Sequence, residues 1–267
     1  MVGLGAVGAF VVAGFRRYSA YRLSVVAGAF TNSVFGLLRA SIIVAAVGTA
    51  GGTLAGYDEQ SAVAYAWITQ ALIAPVNVFT WHELALRVRT GDVAVDLARP
   101  VDLQVQYLAA DLGRAAYVAL PRGIPPLVVG ALTFGLVMPT TALPYLLGAV
   151  SVVLAVTISF NCRFLVNLTA FWLLDHRGVA QVYIAVSNVF SGMYAPVSWF
   201  PGWMAGIARL TPFPSMIQAP ADVLTGGLDT AGSLRTVGVQ VLWLLVTLAV
   251  ARLVQSRATR KLVVQGG

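Results

Sequence analysis

The chain has 267 residues, of which 58% are hydrophobic and only 10% charged, with a mean hydropathy of +0.82. A soluble domain carries about 25% charged residues, so a soluble enzyme is excluded and most of this surface must face lipid. Apolar runs of about 20 residues, without the roughly ten-residue alternating strands of a barrel, predict an all-α membrane protein. The net charge of +7 does not point to nucleic acid, because the arginines cluster beside apolar runs as the positive-inside pattern requires, with attraction to anionic membrane lipids as a secondary effect. The single cysteine, Cys162, excludes an intramolecular disulfide and reads as packing.

In chain order, Met1 to Gly14 are small and apolar, with no basic n-region before them and no convincing Ala-x-Ala cleavage site after them. They read as a loosely held tail and not as a cleaved signal. Segment 15–22 mixes Phe15, Tyr18 and Tyr21 with Arg16, Arg17 and Arg22, which predicts a short interfacial helix. A first span is expected over 23–47 and, after a Gly-rich turn with Asp58 and Glu59, a second over 61–81. An amphipathic stretch at 103–120 leads into a third span ending near Val137, with Pro121, Pro125 and Pro126 expected to kink or break the helix near its start. The fourth span covers 144–165 with helix running on towards Leu174, and the fifth covers 179–196 beyond the polar turn Asp175-His176-Arg177-Gly178. Segment 198–229 is interrupted by Pro201, Pro212, Pro214 and Pro220 yet carries Trp199, Phe200, Trp203 and Phe213, which predicts two short interfacial helices. A sixth span at 234–254 completes a single membrane domain of six transmembrane helices.

Orientation follows from the basic residues. With both termini inside, Arg16, Arg17, Arg22, Arg87, Arg89, Arg99, Arg163, Arg177, Arg252, Arg257, Arg260 and Lys261 fall on the cytoplasmic side, against Arg209 and Arg235 outside.

Seven charged residues lie between Trp81 and Asp102, in a cytoplasmic cassette reading Arg87-Val-Arg89-Thr-Gly91-Asp92-Val-Ala-Val-Asp96-Leu97-Ala-Arg99-Pro100-Val-Asp102. Gly91 permits a sharp turn, Asp92 is suited to cap a short helix over 93–98, and Pro100 stops it. Val93, Val95, Leu97 and Val101 give that helix an apolar side. A structured polar cassette between two spans suits contact with a soluble partner.

Sites for chemistry are not expected. A phosphate-cradling Gly-x-x-x-x-Gly-Lys-Ser/Thr loop needs a lysine, and the only one, Lys261, lies between Arg260 and Leu262. His82-Glu83 begins like a zinc-protease motif, but Leu86 stands where the second histidine belongs, so neither a metal site nor a catalytic residue is expected. His82 and His176 read as interfacial polar residues. Every Asp and Glu is expected at a span end or in a loop, which argues against a proton-coupled carrier. Arg39, deep in the first span, reads either as an electropositive point on a substrate path or as a structural arginine held by backbone carbonyls. Asn32, Gln70, Asn77 and Asn188 either line a route or, as is commoner, tie helices together. Trp199, Phe200 and Trp203 form an aromatic belt or a gate.

These features resemble the membrane subunits of ABC-2 type exporters, in the bacterial branch where two different permeases serve a separate ATPase. The resemblance rests on the Arg-rich segment 15–22, the cassette, and the stretches Ser191-Gly-Met-Tyr-Ala-Pro196, Phe200-Pro201-Gly-Trp203 and Thr211-Pro212-Phe213-Pro214. It implies that 15–22 is an elbow-like interface helix and that 87–100 is a coupling helix touching the ATP-binding subunit through Arg87, Arg89, Gly91, Asp92, Asp96, Leu97, Arg99 and Pro100. Asp175, His176 and Arg177 would make a lesser contact, and 198–224 would be an exoplasmic re-entrant helix pair. Arg39, Asn32, Asn188, Trp199, Phe200 and Trp203 are then candidates for a translocation path or gate. ATP and magnesium would belong to the partner ATPase, with no cofactor on this chain. A second permease, different in sequence or a second copy, would complete the path in the bacterial plasma membrane. The alternatives are a membrane assembly protein that recruits a cytosolic partner without transport and, behind it, a secondary carrier.

Overall fold

The computed structural model describes residues 4–20, 22–79, 81–173 and 175–261. Tyr21 of the expected interface segment and Leu174 of the expected fourth-helix extension lie outside them. The architecture is a helical bundle, and its one sheet among the described residues is a two-stranded hairpin, β1 (Thr53–Leu54) and β2 (Tyr57–Asp58). In lipid every backbone polar group must be satisfied within the protein, and long apolar helices do this segment by segment.

Among the described residues four helices are long and apolar enough to cross a membrane: α2 (Arg22–Thr49), α6 (Leu103–Phe134), α7 (Leu143–Leu168) with a short 3₁₀ turn to Phe171, and α11 (Thr230–Ala258). The expected second and fifth spans are shorter. One is α3 (Glu59–Leu72), 14 residues extended by a π-turn at Ile73–Asn77, and the other is α8 (Arg177–Phe190), also 14 residues. Asp58 caps α3 by accepting from the Ser61 N–H at 2.9 Å, and Asp229 caps α11 through Gly232 at 2.7 Å.

α3 is the central strut, with every residue from Ala62 to Leu72 buried. Its Trp67 is wholly buried between Gly36 of α2 and Gly130 of α6. A Cβ at either glycine would stand 2.4 or 2.5 Å from the indole, so these two positions accept only glycine. One turn beyond Trp67, Gln70 donates to Asn32 Oδ1 of α2 at 2.6 Å, and Asn32 in turn donates to the Gln70 and Arg122 carbonyls at 3.1 and 2.9 Å.

Two expectations are corrected here. The first residues do not form a loose tail: helix α1 (Leu4–Ser19) takes in 4–14 and most of the expected 15–22 segment, and lies against α6. Gly14 and Gly113 allow the approach, since a Cβ on either would fall about 2 Å from a backbone oxygen of the other helix. The second correction is partial: of the kink or break expected at the three prolines, the break is absent, and α6 runs on for 32 residues. Pro126 removes the N–H that would have bonded the Arg122 carbonyl, and Asn32 Nδ2 supplies the missing donor.

The chain leaving α3 is irregular, with Pro75 in the π-turn and Asn77 at φ +54°. Side chains from three other helices receive its carbonyls. Arg114 Nη1 and Nη2 donate to Ala74 and Pro75 at 2.9 and 2.8 Å, Ser159 to Asn77 at 3.0 Å, Ser187 to Val78 at 3.2 Å, and Asn167 Nδ2 to Trp81. Arg114 is itself held by Asp111, whose two oxygens accept from Arg114 Nε at 2.6 Å and from Arg163 Nη2 at 2.7 Å. Asp111 is therefore a carboxylate inside the bundle and not at a loop or span end. Arg163, 1% exposed, is its buried partner and not a loop charge.

Removing one member of a buried ion pair leaves an uncompensated charge and costs about 3–5 kcal/mol. Asp111→Ala is expected to lower the thermal unfolding midpoint of the purified chain steeply. Gly113→Val, whose Cβ would stand 1.9 Å from the Val11 carbonyl oxygen, must push α1 away from α6 but leaves the ion pairs intact, and is expected to lower the midpoint less than Asp111→Ala. Detergent-phase thermal unfolding of both variants checks the order.

Candidate functional site

The cassette folds as α4 (Glu83–Thr90), a left-handed turn at Gly91 with φ +83°, and α5 (Val93–Leu97). The expected helix–turn–helix is present, but its lock differs. Asp92 does not cap α5; its carboxylate accepts from the Thr90 hydroxyl at 2.7 Å. The organising group is Asp96, 3% exposed. It accepts from Arg87 Nε and Nη2, the latter at 3.1 Å, and from the Tyr107 hydroxyl of α6 at 2.9 Å. Arg99 stands 3.3 Å away on the other side. The Asp96 carboxylate holds the Arg87 guanidinium above its ordinary value. Gln106 donates to the Asp96 and Val101 carbonyls at 3.0 and 2.6 Å and closes the loop onto α6.

Asp96 is thus turned inward, and Leu97 beside it is half-buried. Neither presents itself outward as a contact residue would. What the cassette displays is a continuous exposed face: Leu86 and Val95, each 58% exposed, with Arg89, Gly91, Asp92, Ala94, Arg99 and Pro100. Exposed large aliphatic groups at both helices of a small polar motif suit docking against an apolar groove.

Four helices and one turn grip the cassette. From α1, Arg17 pairs with Glu83 at 2.8 Å and the Arg99 guanidinium lies over the Phe10 ring at 5.9 Å. From α6, Tyr107 reaches Asp96; from α7, Asn167 Oδ1 accepts the Ala85 N–H at 3.1 Å. From α11, Gln255 donates to Asp102 at 2.9 Å.

The fifth contact comes from the turn before α8. His82 Nδ1 and His176 Nε2 are 2.8 Å apart, which brings the two polar turns of the sequence together. Position 82 and position 176 are 94 residues apart, and no spacing rule links them. Asp175 is held below the usual carboxylate range by the Arg177 backbone N–H and then by its side chain. Burial first, and the neighbouring His82 charge second, hold His176 below its usual 6.5. Among the described residues no group of three or more His, Cys, Asp or Glu could hold a metal ion.

The candidate path residues divide. Asn32 and Arg39 line a cavity of about 1130 Å³ between α2, the π-turn, α6 and the Met193–Tyr194 segment, together with Gln70 and Asn77. Asn188 is buried elsewhere in α8. Trp199 is tied to the hairpin, its Nε1 donating to the Leu54 carbonyl at 3.1 Å, and Trp203 lies exposed on α9 (Gly202–Arg209). With α10 (Gln218–Leu224), α9 supplies the two expected short helices of the 198–229 region. Gln218 and Asp222 of α10 bond Tyr57 and bind this region to the hairpin.

Asp96→Ala is expected to release the cassette. After discounting for the half-exposed arginines, the loss is about 1–2 kcal/mol, or roughly tenfold faster tryptic cleavage at Arg87 and Arg89. Limited proteolysis of the purified chain measures it, and Asp96→Asn should fall between. The histidine contact has a defined sign. A depressed His176 value means that its contribution is present above about pH 6.5 and is lost as pH falls through the depressed value. Spin labels at positions 90 and 178 should move apart on acidification, and His176→Gln should abolish that response.

A family model described as "ABC-2 family transporter protein" matches residues 34–266. Individual curated proteins give no match.

Proposed function

The chain belongs to the ABC-2 family of transporter proteins, and from that premise we propose that it is the permease subunit of an ATP-driven exporter. It crosses a bacterial plasma membrane six times, with α3 and α8 as the short crossings and both termini in the cytoplasm. It does not hydrolyse ATP. A separate ATP-binding subunit holds nucleotide and magnesium and docks on the cassette. A second permease, a different chain or a second copy, completes the translocation path, and α9 and α10 form the re-entrant pair on the outer side.

The observation that carries this reading is the outward face of the cassette. It offers Leu86, Arg89, Ala94 and Val95 to a partner, while its inner face is gripped by helices α1, α6, α7 and α11 and by the turn before α8. A surface exposed on one side and fastened to the bundle on the other is what transmission of a partner's movement requires. Burial of two aliphatic side chains contributes about 1.5–3 kcal/mol each. Leu86→Asp with Val95→Asp should therefore abolish co-purification with the ATP-binding subunit and any stimulation of its ATPase, without change in membrane insertion. Retained coupling in that double variant would refute the docking surface.

A further inference from the structure

Every charged side chain in the wall of the 1130 Å³ cavity is an arginine: Arg39, Arg114 and Arg122. Arg114 is neutralised by Asp111 and spends its remaining donors on carbonyls. Arg39 is different. Its Nε makes one long contact to the Tyr194 carbonyl at 3.4 Å, and both terminal nitrogens are buried with no hydrogen-bond partner. The ionisable groups that act on it are Tyr65 and Tyr194, and no carboxylate is among them. Around it the wall is apolar, with Phe35, Leu38, Ile42 and Phe79.

A guanidinium in mid-span costs about 2.5–3.5 kcal/mol on insertion scales even before its donors go unmet. Buried donors without acceptors add to that cost. The neighbouring polar groups do not share this condition, since Asn32 and Gln70 satisfy each other and two carbonyls. At Arg39 the unmet donors are both ends of a planar guanidinium fork, which matches a carboxylate or phosphate. The apolar wall continues along α2 from Val25 to Ile43, a length of about 27 Å at 1.5 Å per residue.

We propose that this cavity binds an amphiphile with an anionic headgroup on Arg39 and an apolar tail along α2. The proposal rests on the permease reading only in making this the cargo class; the binding itself needs no ATPase.

The test uses the purified full chain in maltoside detergent, with dansylaminoundecanoic acid as the fluorescent probe and its methyl ester as the uncharged counterpart. The acid should bind saturably and the ester much more weakly. Arg39→Gln should weaken the acid by about tenfold, the order a charge-assisted hydrogen bond carries, and leave the ester unchanged. Arg39→Lys, which keeps the charge without the fork, should fall between. Ile42 is 69% exposed one turn away, so Ile42→Glu places a carboxylate against Arg39 with little risk to folding and should also exclude the acid.

Equal binding of acid and ester, or unchanged acid binding in Arg39→Gln or Ile42→Glu, overturns the proposal. Displacement of the probe by inorganic phosphate alone at matching concentration would make this a plain anion site and also overturn it. A smaller assembly on light scattering for Arg39→Gln would mean that Arg39 meets a neighbouring subunit, with the same consequence. Failure of the cassette variant to uncouple an ATPase would refute the permease reading alone, since probe binding is read without that partner.

Discussion

A backbone that leaves helix inside a membrane must find new partners for its carbonyls, and the segment after α3 does this four ways at once. Pro75 and the positive φ of Asn77 end the regular ladder. Arg114, Ser159, Ser187 and Asn167 then take the carbonyls of residues 74, 75, 77, 78 and 81. These donors come from α6, α7 and α8, so the irregular segment is also the point where three helices are pinned to one another. The geometry of Arg114 depends in turn on Asp111, and Asp111 on Arg163 of α7. Remove this carboxylate and both the bundle and the exit of α3 lose their common fixing point.

The position of the cassette is a consequence of that constraint. Residues 74–81 deliver the chain to His82 in one place and direction, and Asp96 then folds the following twenty residues back onto α6 through Tyr107 and Gln106. Because α1, α7 and α11 also touch it, a displacement of the cassette is shared among helices on different sides of the bundle. Packed interiors pass on such displacement because they are dense and poorly compressible. The rigid inner side and the free outer side are thus two results of one arrangement of hydrogen bonds.

How much of this was legible in the sequence differs by residue type. Apolar runs located the long membrane helices α2, α6, α7 and α11, because lipid exposure leaves a one-dimensional trace. Gly91 and Pro100 marked the turn and the stop of the cassette for local backbone reasons. Asp96 was legible as part of the cassette, but its burial was not, since that depends on Tyr107 and Gln106 arriving from the next helix. Asp111 was passed over as part of an amphipathic lead-in, although a carboxylate three residues before Arg114 in an apolar helix was a usable signal. The same holds for α1: its small apolar residues suggested looseness, whereas Gly14 is what permits its close contact with α6. The pairing of His82 with His176 had no local signal at all.

Set against the treatment of its other polar groups, Arg39 gains its meaning. The bundle answers a freed carbonyl at Arg122 with Asn32, and freed carbonyls at Ala74 and Pro75 with Arg114. It balances two arginines against Asp111, and it seats Gln104, Asn161 and Thr247 in one buried chain of hydrogen bonds. Deep polar groups around this cavity are therefore matched closely, by side chains drawn from distant parts of the sequence. The Arg39 guanidinium, with both terminal nitrogens unbonded in an apolar wall, departs from that pattern. The cost falls on the resting chain, and a ligand that brings the missing acceptors recovers it on arrival. Under the proposed amphiphile binding, that difference between the empty and the filled cavity supplies selectivity for charge, while the surrounding Leu, Ile and Phe side chains are indifferent to the length of the tail.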